Sequence, residues 1–204
     1  MRAVIITGGA MRDYAYIRQF IQPEDTVIAA DSGYHHCERL GLRPRILLGD
    51  FDSLHQLPEG IETLRFPQEK NFTDTELAVD WARKEGFRNF LFLGATGTRL
   101  DHSLTNILLL SELLDHGEAG ELLDEHNRVW LTDREVELDA PPGAILSLVP
   151  LTTCAGVTTE NLTYPLRGAT LEVGQGRGVS NVILASPAKV RLSLGKLLVM
   201  LCRD

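Results

Sequence analysis

The chain has 204 residues, of which 44% are hydrophobic, and a formal net charge of −8. That apolar share excludes a disordered chain, and the acidity argues against a general nucleic-acid binder, which shows a basic face. The length allows one large domain or two small ones.

In chain order, Val4 to Thr7 is a buried strand closing on Gly8-Gly9, and Thr26 to Ala30 a second closing on Asp31-Ser32-Gly33. Ile46 to Leu48 closes on Gly49-Asp50, and Asn89 to Leu93 closes on Gly94. Continuous apolar runs of this length suit parallel strands covered on both faces. Helices are expected over Tyr14–Gln22 and Tyr34–Leu40. Thr73 and Glu76 have the spacing of a capping box, followed by Leu77, Ala78 and Trp81 at helical intervals. Leu104, Ile107 and Leu108 mark the apolar stripe of a further helix that stops near His116-Gly117. The alternation predicts an α/β domain with a parallel sheet over residues 1–125. From Val129 the texture changes to short runs divided by Gly- and Pro-containing turns: Arg134–Leu138, Ile145–Val149, Ala169–Val173, Val182–Leu184, Val190–Leu194 and Leu197–Leu201. Residues 126–204 are therefore expected to form a smaller antiparallel β domain, sandwich-like or partly barrelled.

Cys37, Cys154 and Cys202 are odd in number and widely spaced, with no disulfide framework and no zinc pattern. The N-terminal apolar run is too short for a signal peptide, and no stretch reaches the roughly twenty apolar residues of a membrane span. A soluble cytoplasmic protein is expected, without membrane or nucleic-acid partners.

The aspartates carry the functional signal. Asp31 follows one strand, and Asp50 and Asp52 follow another. Ligands of open α/β sheets bind at the carboxyl ends of strands, and magnesium takes one or two carboxylates together with phosphate oxygens. These three acids are expected to form a metal–phosphate platform, although an isolated Asp-x-Asp is more often a solvated turn. Asp74 fits either metal binding or the dipole at the start of its helix. The loop Gly94 to His102, between a strand and a helix, can offer backbone N–H groups to phosphate, with Arg99 neutralising charge. It also fits an ordinary turn capped by Asp101. No Walker motif and no nucleophile elbow are present.

At these residues the chain resembles the thiamine pyrophosphokinase family. The matching blocks are Asp31-Ser32-Gly33, Gly49 to Ser53, Phe66-Pro67 leading to Lys70-Asn71-Phe72-Thr73-Asp74, Gly94 to His102, Gly156 to Leu166, and Gly178-Val179-Ser180-Asn181. The resemblance implies an α/β catalytic domain, a β domain that helps bind thiamine, and a homodimer with active sites at the subunit interface. It implies transfer of pyrophosphate from ATP to the thiamine hydroxyl, giving AMP and thiamine diphosphate. By the same resemblance, Asp31, Asp50, Asp52 and Asp74 hold Mg2+ and ATP, with Asp50, Asp52, Asp74 and Asp101 as the catalytic acids. Gln68, Lys70, Arg99 and Asp101 lie near the phosphates or the thiamine hydroxyl, and Ser180 and Asn181 face the pyrimidine. One position departs: the family commonly has an acid where this chain has Asn71, which contributes no charge. Rival readings are a pyrophosphokinase acting on a hydroxymethyl pterin, a metal-dependent phosphohydrolase or sugar-nucleotide transferase, and a non-enzymatic thiamine or nucleotide sensor.

Overall fold

The computed structural model describes residues 1–52, 58–67 and 71–203. The chain divides into two compact units, Met1–Glu125 and His126–Asp204.

The first unit is built on β1 (Ala3–Ile6), α1 (Tyr14–Arg18), β2 (Thr26–Ala30), α2 (Gly33–Leu40), β3 (Ile46–Gly49), β4 (Glu62–Arg65), α3 (Asp74–Lys84), β5 (Asn89–Leu93), α4 (Leu100–Asp115) and β6 (Ala119–Leu123). Its strands run in the order β6-β5-β1-β2-β3-β4, each pair parallel. Val4, Ile6, Val27, Ala29, Leu47, Leu91 and Leu93 form a core with Ile17 of α1 and with Cys37 and Leu40 of α2. The alternate residues Ile5, Ile28, Phe90 and Phe92 are also fully buried, as are Ala78 and Ala82 of α3 and Leu110 and Leu113 of α4. Strands β1, β2, β3 and β5 are therefore apolar on both faces, which explains their unbroken hydrophobic runs.

Local chemistry sets the helix ends. The capping box forms: Thr73 Oγ1 accepts from Glu76 N–H at 3.2 Å, and the Glu76 carboxylate accepts from Thr73 N–H at 2.7 Å. The first helix is shorter than expected and ends at Arg18 rather than Gln22. Pro23 disfavours a helical residue at Gln22, and Asp25 accepts from the Gln22 N–H at 2.7 Å. In α4 the buried face differs from the expected one. Ser103, Asn106, Leu109, Leu110 and Leu113 point inward, whereas Leu104 and Leu108 are 52% and 47% exposed. The two inward polar residues are held by hydrogen bonds to a loop described below. Two strands had no sequence signal: β4, whose four residues are all exposed at the sheet edge, and β6, which opens on Ala-Gly-Glu.

The second unit contains β7 (Asn127–Thr132), β8 (Glu135–Leu138), β9 (Ile145–Pro150), β10 (Cys154–Glu160), β11 (Ala169–Leu171), β12 (Asn181–Val182), β13 (Ala188–Arg191) and β14 (Leu197–Cys202). Two antiparallel layers, β12-β9-β14-β7 and β11-β10-β13-β8, make a sandwich. Leu146, Leu148, Leu197 and Val199 from one layer share a core with Leu138, Val157, Leu171 and Val190 from the other. Strand β10 was not expected from the sequence. Its pairing with β11 shifts register between Cys154 and Val157, which breaks the alternation that marks a strand.

Candidate active site

The strand order fixes where a ligand can sit. The chain steps from β1 through β2 and β3 to β4 on one side, then crosses to β5 on the other side of β1. The connections that leave β1 and β5 lead to opposite sides of the sheet, and a crevice opens at the carboxyl ends of these strands. A cavity of about 880 Å³ lies at this point, bordered by Gly8 and Gly9 after β1, Asp31 after β2, Asp50 after β3, and the loop Gly94–Arg99 after β5. Its size falls within the roughly 300–1,000 Å³ of small-molecule sites. The first residues of α3, Asp74 and Thr75, and the α4 residues His102, Ser103 and Asn106 complete the wall.

Among the described residues, Asp31, Asp50 and Asp52 each offer a carboxylate oxygen within 4.8 Å of the other two. Backbone geometry makes this possible. Asp31 and Phe51 lie in the left-handed region, at φ 47° and 65°, which is rare for residues with a side chain. Phe51 is buried as an anchor, and the Asp52 N–H donates to Asp50 Oδ1 at 3.1 Å. Asp31 and Asp50 are half-buried and Asp52 is exposed. Hard oxygen donors such as these suit magnesium, so the three carboxylates could hold it. Asp74 lines the same cavity but is not a member of the three-acid group.

The loop after β5 is braced from three directions. Asn106 Nδ2 donates to the Ala95 carbonyl at 2.8 Å, Ser103 Oγ accepts from Gly97 N–H at 3.0 Å, and Thr96 Oγ1 donates to Asp124 at 2.7 Å. The loop after β1 packs directly on it, and a Cβ at Gly9 would overlap the carbonyl oxygens of Gly94 and Thr96. Glu125 accepts from the backbone N–H groups of Arg12 and Asp13. Arg99 lines the cavity, whereas Asp101 does not; the two are joined by an ion pair at 2.6 Å. Arg99 lowers the exposed Asp101 carboxyl to about 2, with help from the His102 N–H. A carboxylate so stabilised is a weak proton acceptor. Asp101 does not cap the helix either: the N-cap residue is Arg99, without a side-chain capping bond.

Gln68 and Lys70, expected near the phosphates, lie outside the described residues. In the second unit Ser180 is exposed at φ 59°, and its N–H donates to Ser147 Oγ at 3.0 Å. Asn181 is buried, and its side chain bonds the backbone of Tyr164 twice, accepting from N–H at 3.0 Å and donating to the carbonyl at 2.7 Å. Asn181, expected to face a ligand, thus ties down the backbone of Tyr164. Sequence reasoning missed Ser103, Asn106, Asp124 and Glu125, which brace the site's loops. Their signal was weak: polar residues on a helix or after a strand read as solvated.

Two family descriptions match the chain: "Thiamin pyrophosphokinase, catalytic domain" over residues 17–119 and "Thiamin pyrophosphokinase, vitamin B1 binding domain" over residues 133–199. A thiamine pyrophosphokinase of Bacillus subtilis is 26% identical over 210 residues, covering 98% of both chains. The crystal structure of a thiamine pyrophosphokinase from that organism superposes with a TM-score of 0.90 at 23% identity, covering the whole of each chain. That of a thiamin pyrophosphokinase from Geobacillus thermodenitrificans gives 0.84 at 28% identity, covering 100% of this chain and 98% of the other. With both descriptions matched in order, and a fold shared along its whole length, this chain belongs to the thiamin pyrophosphokinase family.

Proposed function

We propose that the protein transfers the pyrophosphoryl group of ATP to the hydroxyl of thiamine. The alcohol oxygen bonds to the β-phosphorus, the bond from that phosphorus to the α–β bridging oxygen breaks, and AMP leaves with that oxygen. The alcohol proton is released. The observation that carries this reading is the convergence of Asp31, Asp50 and Asp52 beside a switch-point cavity. Family membership supplies the choice of reaction.

Asp31, Asp50 and Asp52 would hold Mg2+, which when bound supplies positive charge to the phosphate oxygens. The glycine loops let the backbone approach the phosphates closely, and the N-terminus of α4 favours their negative charge. Arg99 adds a guanidinium, with Asp101 orienting it. Asp74 stands across the cavity as the candidate proton acceptor, because Asp101 is a weak one. Phosphoryl transfer asks mainly for positioning and electrostatic stabilisation, which these groups provide. The ring of thiamine is assigned to the second unit, with exposed Ser180 as its candidate contact.

A homodimer is supported by Leu100, Leu104 and Leu108, which expose apolar side chains along one line of α4. Use of ATP and free thiols at Cys37, Cys154 and Cys202 supports work in the cytoplasm. No described helix is long and apolar enough to cross a membrane. The deciding experiment is incubation with ATP, magnesium and thiamine. AMP formed only with thiamine present supports the reading. ADP instead, or AMP without thiamine, overturns it.

A further inference from the structure

Behind the cavity wall lies a chain of hydrogen bonds that the catalytic reading does not use. His36, on α2, is half-buried and does not line the cavity. Its Nε2 is 2.8 Å from the carbonyl oxygen of Gly9, which does line it. A carbonyl can only accept, so this imidazole nitrogen carries the proton. Nδ1 lies 2.8 Å from the Tyr14 hydroxyl, and that hydroxyl accepts from Arg39 at 3.0 Å. With its lone pair engaged by Arg39, the tyrosine turns its own proton to Nδ1. The order is Arg39 to Tyr14 to His36 to Gly9, and every link has a donor and an acceptor.

We propose that His36 is a positioning residue for nucleotide binding, holding the Gly9 carbonyl toward α2 and away from the phosphate site. The physical need is plain. A carbonyl oxygen turned into the cavity would meet phosphate oxygens of like charge. The Ala10 N–H, which belongs to the same planar peptide unit as the Gly9 carbonyl, donates to the Thr96 carbonyl at 2.9 Å, and the Gly9 N–H donates to Gly94 at 2.7 Å. His36 holds the carbonyl end of that same unit, so the two bonds together fix its orientation. Burial favours the neutral ring, as do Arg39 and His35 on the same helix; the Gly9 carbonyl and Glu125 oppose them. The balance keeps His36 below its ordinary range and in the tautomer that Tyr14 selects.

The inference rests on the cavity being the ATP site, so binding is measured apart from turnover. Magnesium–ATP is titrated calorimetrically into the wild-type protein, into His36→Leu, His36→Gln and Tyr14→Phe, and into the double variant His36→Leu with Tyr14→Phe, with a thermal melt of each. His36→Leu is expected to weaken ATP binding roughly five- to tenfold, the worth of one hydrogen bond. His36→Gln, which retains an N–H at similar reach, recovers most of that loss. Tyr14→Phe weakens binding about threefold in the wild-type background and adds nothing to His36→Leu, because the two act through one bond. The KM for thiamine stays within about twofold of wild type throughout. Unchanged ATP binding in folded His36→Leu and Tyr14→Phe, or equal losses in Leu and Gln variants, overturns the positioning role while leaving the proposed reaction intact. Failure of the wild-type protein to bind magnesium–ATP overturns both. If His36→Leu does not fold, Tyr14→Phe decides alone.

Discussion

Asp50→Asn should make the metal-free protein more stable while removing its response to magnesium. Each of the three carboxylates has two like-charged neighbours within 4.8 Å. At that separation one pair repels by about 0.9 kcal/mol in a water-like medium and about 3.5 kcal/mol at an effective dielectric of 20. Asp52 is exposed and the other two are half-buried, so the lower figure is the safer guide. Relieving both pairs that involve Asp50 then gives roughly 2 kcal/mol, or about 4 to 8 °C in melting midpoint for a chain of this size. The substitution is nearly isosteric, and the Asn oxygen can still accept the Asp52 N–H that shapes the turn. With magnesium the order reverses. A ligand at a hundred times its dissociation constant stabilises by about 2.7 kcal/mol, and the variant lacks one of the charges that bind it. Melts in chelator and in excess magnesium, with AMP assays on the same samples, test this. A variant that melts below wild type in chelator, or keeps the full magnesium shift, would refute the electrostatic account.

Arg83→Met should destabilise the first unit by about 3 kcal/mol in urea unfolding, because a buried carboxylate loses its main partner. Arg83 joins Glu112 at 2.7 Å and Glu118 at 2.6 Å, and the Glu118 side chain is only 3% exposed; adding Glu118→Gln should recover part of the loss. Asn181→Ala should cost the second unit about 1–3 kcal/mol by orphaning the Tyr164 backbone, read as a lower melting midpoint. An unchanged midpoint with weaker thiamine binding would instead make Asn181 purely a ligand contact. Asp101 predicts a pH result. Its folded carboxyl is depressed to about 2, so its ion pair is intact above the ordinary carboxyl range and is lost as pH falls through about 2. An acidic limb of kcat/KM above pH 4 therefore belongs to another group, and Asp101→Asn should leave its position unmoved.

The parallel core was legible because burial on both faces leaves a mark that needs no tertiary information: β1, β2, β3 and β5 are short apolar runs that each end in glycine or aspartate. Thr73 and Glu76 were legible because a capping box is local. The edge strand β4 was not. Glu62-Thr63-Leu64-Arg65 is exposed at all four positions, and its charges guard an open sheet edge rather than fill a core. Likewise β6 has only Leu122 and Leu123 fully buried, too few to declare a strand. In the sandwich, the irregular register of β10 hid the period of two on which strand recognition depends.

The acids at 31, 50 and 52 could be expected to meet, because loops after neighbouring parallel strands share one end of the sheet. What the sequence withheld was the bracing around them. Ser103 and Asn106 read as the solvent side of α4, and the leucines at 104 and 108 as its core side. The structure reverses this because two loop groups, the Gly97 N–H and the C=O of buried Ala95, take Ser103 and Asn106 as their partners. Satisfying them turns the polar residues inward, and rotation of the helix carries Leu100, Leu104 and Leu108 out. The two faces are one fact. A helix that turns polar side chains toward the loop of the cavity exposes apolar ones elsewhere, and that exposed line is the ground on which a homodimer is proposed. A substitution of Asn106 that frees the Ala95 carbonyl would therefore disturb the cavity, while charged substitutions at Leu104 and Leu108 would test the proposed homodimer, read as mass in solution, and leave that loop in place.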